Sequence, residues 1–198
     1  KEGRYLIEDD YDSEFRYKGK PIPALKGYDA SEKVIYLGTF SKSIAPAIRM
    51  SYMVLPESLM KVYQAACRFI NPTVSRVDQM ILQKFIEDGH YERHLNRMRA
   101  LYKGRHDTFL NCLKPFAGKC RISGEHAGVH LLLTFENGRS EEELIRLARE
   151  EKVAVYGLSS YDTQGTRKNQ ASVLLGYANM EEDQIKEAVE ILKKAWLS

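Results

Sequence analysis

Apolar positions along the chain alternate between short unbroken runs and longer stretches with helical spacing. Tyr5 to Ile7 is a short apolar run that ends in acids, "IEDDYDSEF". Val34 to Leu37 and Tyr52 to Leu55 are compact runs bounded by breakers, the pattern of buried strands. The stretch "RYKGKPIPALKGYDASEK" between the first two runs is rich in Gly, Pro and charge and predicts a loop. From Pro56 and Glu57 the period changes: Leu59, Val62, Tyr63, Ala66 and Ile70 fall on one helical face. "INPTVSR" breaks that helix, and a second one carries Val77, Ile81, Phe85 and Ile86. After Gly89 a long helical pattern runs to Pro115, with Tyr91, Leu95, Met98, Tyr102, Phe109 and Leu113 on one face.

The remainder is shorter and mixed. "GVHLLLTF" predicts a strand, and Ser140 with Glu143 forms a capping box before a helix carrying Leu144, Leu147 and Ala148. "VAVY" and "SVLLGYA" predict further strands. Asn179 with Glu182 predicts the start of a last helix that turns Ile185, Val189 and Leu192 inward. Strands alternating with helices indicate an α/β architecture. The expected organisation is a first domain over 1–115, ending in the long helix, and a small α+β domain over 116–198.

Composition narrows the class only modestly. The 198 residues suffice for one substantial domain or two small ones, and 43% hydrophobic with 29% charged residues is ordinary for a soluble globular protein. The net charge of +3 is spread along the chain, so no basic stripe marks a nucleic-acid surface in this piece. Cys67, Cys112 and Cys120 form no CxxC pair and fit free thiols in a reducing cytoplasm. No apolar run reaches membrane-spanning length. The opening "KEGRYLIEDDY" has no initiator Met and enters a strand-like run almost at once, which reads as part of a longer protein.

The candidate chemistry lies in "YLGTFSKSIAPAIRM", where Lys42 stands among Thr39, Ser41 and Ser43, with Arg49 further on. A phosphate-cradling P-loop needs Gly where Tyr36 and Ser41 stand. An S-x-x-K acyl-enzyme needs Ser where Thr39 stands, and its companion motifs are absent. A surface lysine on a βα turn remains the plain alternative. The acids upstream favour another reading. Pyridoxal phosphate requires an amine for a Schiff base, a cradle for its phosphate, a carboxylate for its pyridine nitrogen and a donor for its ring oxygen. Lys42 can supply the amine, and Thr39, Ser41 and Arg49 the phosphate donors. A helix starting after Ser43 would add its N-terminal amides. Asp9, carried to the C-terminal edge of a parallel sheet, can pair with the pyridinium, and Tyr11 can bond the ring oxygen.

These residues carry a resemblance. "IEDDYDSEFRY", "PIPALKG" and "VIYLGTFSKSIAPAIRMSYMVLP" closely resemble the aminotransferase-like domain of MocR-type regulators in the GntR superfamily. The dense similarity spans about Leu6 to Pro56, and weaker similarity, including "GVHLLLTF" and "VLLGYANM", extends to the C-terminus. The resemblance implies the C-terminal part of a pyridoxal-phosphate fold type I domain, with Asp9 on the pyridine nitrogen, Tyr11 on the ring oxygen and Lys42 as the Schiff-base lysine. Thr39 and Arg49 match phosphate-side positions. It also implies a cytoplasmic homodimer, a winged-helix DNA-binding domain outside this chain, and an amino acid or amine as effector. Many relatives anchor the substrate carboxylate with an Arg in a late strand. Leu174 stands at the aligned place, and Arg167 in "DTQGTRKNQ" is the nearest substitute.

Three functional classes follow: an effector-sensing domain of a transcription regulator, a free-standing aminotransferase, and a cofactor-free interaction domain. The persistence of Asp9, Tyr11 and Lys42 disfavours the last. His90 and His94 in "HYERH" have metal-compatible spacing but no evident third ligand, so no metal is expected. His130 in "GVHLLL" reads as a core histidine.

Overall fold

The computed structural model describes residues 3–162 and 171–197. They divide into two compact units: one up to Glu14 and from Gly19 to Met98, the other Phe15–Lys18 with Arg99 onward. Mixed strands and helices in this order give an α/β chain with a separate small antiparallel sheet.

The first unit holds a three-stranded sheet of order β1-β2-β3. β1 (Leu6–Asp10) lies parallel to β2 (Val34–Thr39), and β2 lies antiparallel to β3 (Ser51–Val54). β1 runs further than its apolar residues, because two of its three acids are neutralised by backbone donors or hydroxyls. Glu8 accepts from the Leu25 and Lys26 N–H groups at 2.7 and 2.9 Å and so caps a 3-10 turn, Leu25–Tyr28, inside the expected loop. Asp29 accepts from the Lys33 and Val34 N–H groups at 2.8 and 2.7 Å and ties that loop to the start of β2. Those backbone donors hold its carboxyl below the usual range.

After β2 comes a one-turn helix, α1 (Phe40–Ser43), then a 3-10 turn, Pro46–Ile48. This corrects the expectation of a helix starting beyond Ser43. Thr39 caps α1 and thereby places Lys42 inside that turn. α2 (Glu57–Cys67) stops before Phe69 and Ile70, and Ser75 caps α3 (Arg76–Glu87) by accepting from the Val77 N–H at 3.2 Å. Neither helix buries a residue fully. Val62, Phe69, Ile70 and Met80 are 61%, 84%, 67% and 69% exposed, so the amphipathic faces legible in the sequence have no cover of their own.

The long helix α4 (His90–Cys112) gives its residues up to Met98 to the first unit and the rest to the second. The second unit carries an antiparallel sheet of order β4-β5-β7-β6, formed by β4 (Cys120–Ser123), β5 (His130–Phe135), β6 (Tyr156–Gly157) and β7 (Ala171–Gly176). α5 (Glu141–Glu150) and α6 (Glu182–Leu197) complete its core of Phe109, Leu113, Phe116, Leu131, Leu133, Leu144, Val173, Ile185, Val189 and Trp196. Trp196 donates its indole N–H to the Leu144 carbonyl at 2.9 Å, which satisfies the polar atom of this buried ring. Ser140 caps α5 by accepting from the Glu143 N–H at 3.1 Å.

Two boundaries differ from expectation. Only Tyr156 of "VAVY" is in a strand, because β6 pairs with β7 through Tyr156 and Gly157 alone. α6 begins at Glu182 and not next to Asn179, because the Ala178 carbonyl accepts from Arg105 and the Gln184 side chain accepts from the Glu181 N–H at 2.9 Å.

Candidate functional site

The site is built at one edge of the first unit's sheet. In the parallel pair, Asp9 is level with Leu37 and Asp10 with Gly38. The residues just past both C-terminal ends therefore emerge side by side: Tyr11 after β1, and Ser41 and Lys42 after β2. A crevice beyond the carboxyl ends of parallel strands is where open α/β sheets bind ligands. A cleft of about 1040 Å³ beside this edge is lined by Asp9, Thr39, Phe40 and Tyr52 and by Asn71 and Thr73 between α2 and α3, while Lys42, Tyr11, Ser41 and Arg49 stand outside its lining.

The three acids of β1 part company at this edge. Glu8 and Asp10 point by strand alternation to one side and are bound by protein donors. Asp9 points to the other and makes no hydrogen bond to a described residue, so it is the carboxylate left for a partner. Lys42 is exposed and likewise makes no hydrogen bond among the described residues. The Tyr11 hydroxyl is raised above its ordinary value by the negative charge of Asp12, then by burial and by Asp9. It stays protonated and can only donate to an anionic oxygen.

The phosphate-side residues are held less uniformly. Thr39 Oγ1 accepts from the Ser41 N–H at 3.1 Å and donates to the Met50 carbonyl at 3.1 Å, and the Phe40 N–H donates to the same carbonyl at 3.0 Å. Thr39 thus latches the Lys42 turn to the strand after Arg49, and its single hydroxyl proton is already used. Arg49 sits in the left-handed region at φ 47°, a costly backbone conformation for a residue with a Cβ. Its Nη1 donates to the Pro46 carbonyl at 3.3 Å, which leaves the rest of the guanidinium fork free to bind an anion. Ser41, Lys42 and Arg49 thus belong to one short segment, with Asp9 on the neighbouring strand and Tyr11 just past its end. This donor set fits a dianionic phosphate, an aldehyde and a protonated pyridine.

Other sequence candidates resolve differently. His90 and His94 pack on Phe85, with ring centroids 5.8 and 6.4 Å away, and take Arg93 and Arg97 at their Nδ1 atoms. Among the described residues no three His, Cys, Asp or Glu side chains come together to hold a metal. His130 is half-buried at the start of β5, level with Gly176. Leu174 lies in β7, level with Leu132 and Tyr156. Arg167 lies outside the described residues. No described helix is long and apolar enough to cross a membrane. Sequence reasoning missed Asp10 and Tyr36, whose pairing requires knowing which residues are level across β1 and β2.

Fold and site together define part of a pyridoxal-phosphate-dependent fold type I domain. Residues 2–192 match the family described as aminotransferase class I and II, and the chain belongs to that family. It is 42% identical over 193 residues to the HTH-type transcriptional regulator YhdI of Bacillus subtilis, covering 97% of this chain and 41% of that one. To the probable rhizopine catabolism regulatory protein MocR of Rhizobium meliloti it is 33% identical over 195 residues, covering 98% and 39%. Among solved structures it matches LysN, the α-aminoadipate aminotransferase of Thermus thermophilus, complexed with N-(5'-phosphopyridoxyl)-L-leucine. That match has a TM-score of 0.84 at 28% identity and covers 98% of this chain and 50% of that one. The chain therefore spans about two fifths of the regulators' length and half of the enzyme's. Pyridoxal phosphate is the cofactor to which the family and these residues point.

Proposed function

We propose that this chain is the C-terminal part of the effector-sensing domain of a MocR-type regulator, with residues 1–115 in its large cofactor domain and 116–198 in its small one. The whole protein would be a cytoplasmic homodimer that binds an amino acid or amine and acts on DNA through a winged-helix domain outside this chain. The observation that carries the reading is the level pairing of β1 and β2, which brings an uncommitted Asp9 to the same sheet edge as an uncommitted Lys42.

When bound, pyridoxal phosphate supplies an aldehyde that condenses with amines and a ring that accepts electrons. Lys42 would supply the amine that attaches it. Asp9 would hold a proton on the pyridine nitrogen as its carboxylate partner. Tyr11 would donate a hydrogen bond to the ring oxygen, which would favour the anionic form of that oxygen. Arg49 and Ser41 hold the phosphate, and the Thr39 latch keeps them at one distance from Lys42. A change in what Lys42 holds would be felt first at the α1 turn, which the Thr39 latch ties to the Met50 carbonyl.

The test is a comparison of the intact protein on its operator DNA and with candidate amines. A sensor shifts its DNA footprint when amine and cofactor are both present, and this shift disappears in Lys42→Ala. Rapid multiple-turnover formation of a keto acid with no change in DNA binding would instead establish a free-standing aminotransferase.

A further inference from the structure

Asp10 has no place in the chemistry above, yet it is the most heavily bonded acid of the site. Its Oδ2 accepts from the Tyr36 hydroxyl at 2.7 Å and from the Ser13 hydroxyl at 2.9 Å. Its Oδ1 accepts from the Ser13 N–H at 3.3 Å. One carboxylate thus ties the last residue of β1 both to β2 and to the bend of residues 11–14.

The rest of the arrangement serves the same contact. Tyr36 is two residues before Gly38, the residue level with Asp10, so its ring reaches diagonally across the strand pair. Gly38 is level with Tyr52 of β3, and a Cβ at Gly38 would collide with the Tyr52 ring. The missing side chain lets Tyr52 lie over β2, 6.1 Å from the Tyr36 ring and 5.3 Å from the Phe40 ring. Burial, then the bond to Asp10, holds the Tyr36 hydroxyl far above its ordinary value, so it remains a donor. Tyr36 is thereby fixed on its covered side by Tyr52 and on its polar end by Asp10.

We infer that Asp10 and Tyr36 are positioning residues that fix the bend carrying Tyr11, and so set the direction in which the Tyr11 hydroxyl meets the cofactor's ring oxygen. The inference rests on the cofactor reading above. Tyr11 itself is 43% exposed and its backbone follows β1 directly. The Asp10–Ser13 bonds close the bend on one side, and the Asp10–Tyr36 bond adds a side-chain tie between the end of β1 and β2. Without them the Tyr11 ring would sample several rotamers, and its bond to the ring oxygen would be lost for part of the time.

The experiment is a pH titration of the cofactor absorbance in the intact protein, compared among wild type, Tyr11→Phe, Asp10→Asn, Tyr36→Phe and the Tyr11→Phe/Asp10→Asn pair. Losing the donor to the ring oxygen raises the pH at which the chromophore changes protonation, by about one unit or a tenfold change in the equilibrium. Asp10→Asn is expected to move the midpoint in the same direction as Tyr11→Phe, and Tyr36→Phe to move it less. The pair should move no further than Tyr11→Phe alone. A thermal melt of each variant separates this effect from loss of fold. An Asp10→Asn protein with a lowered Tm but an unmoved midpoint, or a pair whose shifts add, overturns the positioning role and leaves the cofactor site standing. Absence in the wild type of any absorbance that depends on Lys42 overturns the cofactor site and this inference together.

Discussion

Single residues carry opposite burdens in this site. Asp9 makes no hydrogen bond among the described residues, so on the proposed reading its replacement should cost the fold little and the chemistry much. Asp9→Asn in the intact protein is expected to leave stability within about 0.5 kcal/mol of wild type, as surface substitutions do. It should slow exchange of a bound amine's α-proton by about two to three powers of ten, the usual size of a lost preorganised electrostatic contact. Exchange at the wild-type rate would remove Asp9 from its role. Arg49 is strained at φ 47°, and Arg49→Gly relieves about 1 kcal/mol of backbone cost while deleting the proposed phosphate donor. Calorimetry should find the variant as stable as wild type or more so, with affinity for pyridoxal phosphate about 10-fold to 100-fold lower. An unchanged affinity would place the phosphate elsewhere. Asp9, Tyr11 and Lys42 stand out in the sequence as candidates because short runs of unusual residue types mark them. The commitments of Thr39 and Asp10 were not, because a hydroxyl's or carboxylate's partner depends on strand register and loop path.

At the scale of elements, apolar periodicity located most strands and helices, and the misses have physical causes. β4 is "CRIS", too short and too polar to stand out, and it exists because β5 offers it an edge from Leu132 to Phe135. The one-turn α1 follows from the Thr39 cap and not from any helical period. The placement of β4 has a chemical consequence at Cys120, whose thiol burial pushes up to about 11 from an ordinary 9.0. The folded protein then holds that proton more tightly than the unfolded chain does. Its contribution to stability is full below about pH 9 and is lost as pH rises toward 11. Iodoacetamide at pH 8.5 should accordingly alkylate Cys120 in the folded protein about 100-fold more slowly than in urea, as its thiolate fraction falls by two powers of ten. Equal rates read by peptide mass spectrometry would mean that β4 does not shield it. The α5 cap offers a second check: Ser140→Ala should lower stability in urea denaturation by about 1 kcal/mol. No loss would mean that the Ser140 bond to the Glu143 N–H contributes nothing.

For the molecule as a whole, burial is divided unequally. The second unit has a closed core around Phe116, Leu133 and Trp196, whereas α2 and α3 of the first leave their apolar faces to solvent. In the chain of residues 1–198 alone, amides of β5, β7 and α6 should therefore exchange slowly and those of β1 to β3 by local opening, much faster. Uniform protection by hydrogen exchange would show that the first unit is stable without further cover. The account stands or falls on where the cofactor is attached, and that can be read directly. The intact protein is incubated with pyridoxal phosphate, reduced with borohydride, digested and mapped by mass spectrometry. One pyridoxyl group per chain on the peptide containing Lys42, absent from Lys42→Ala, is the predicted result. A stoichiometric adduct on another lysine, or one that persists in Lys42→Ala, would contradict it.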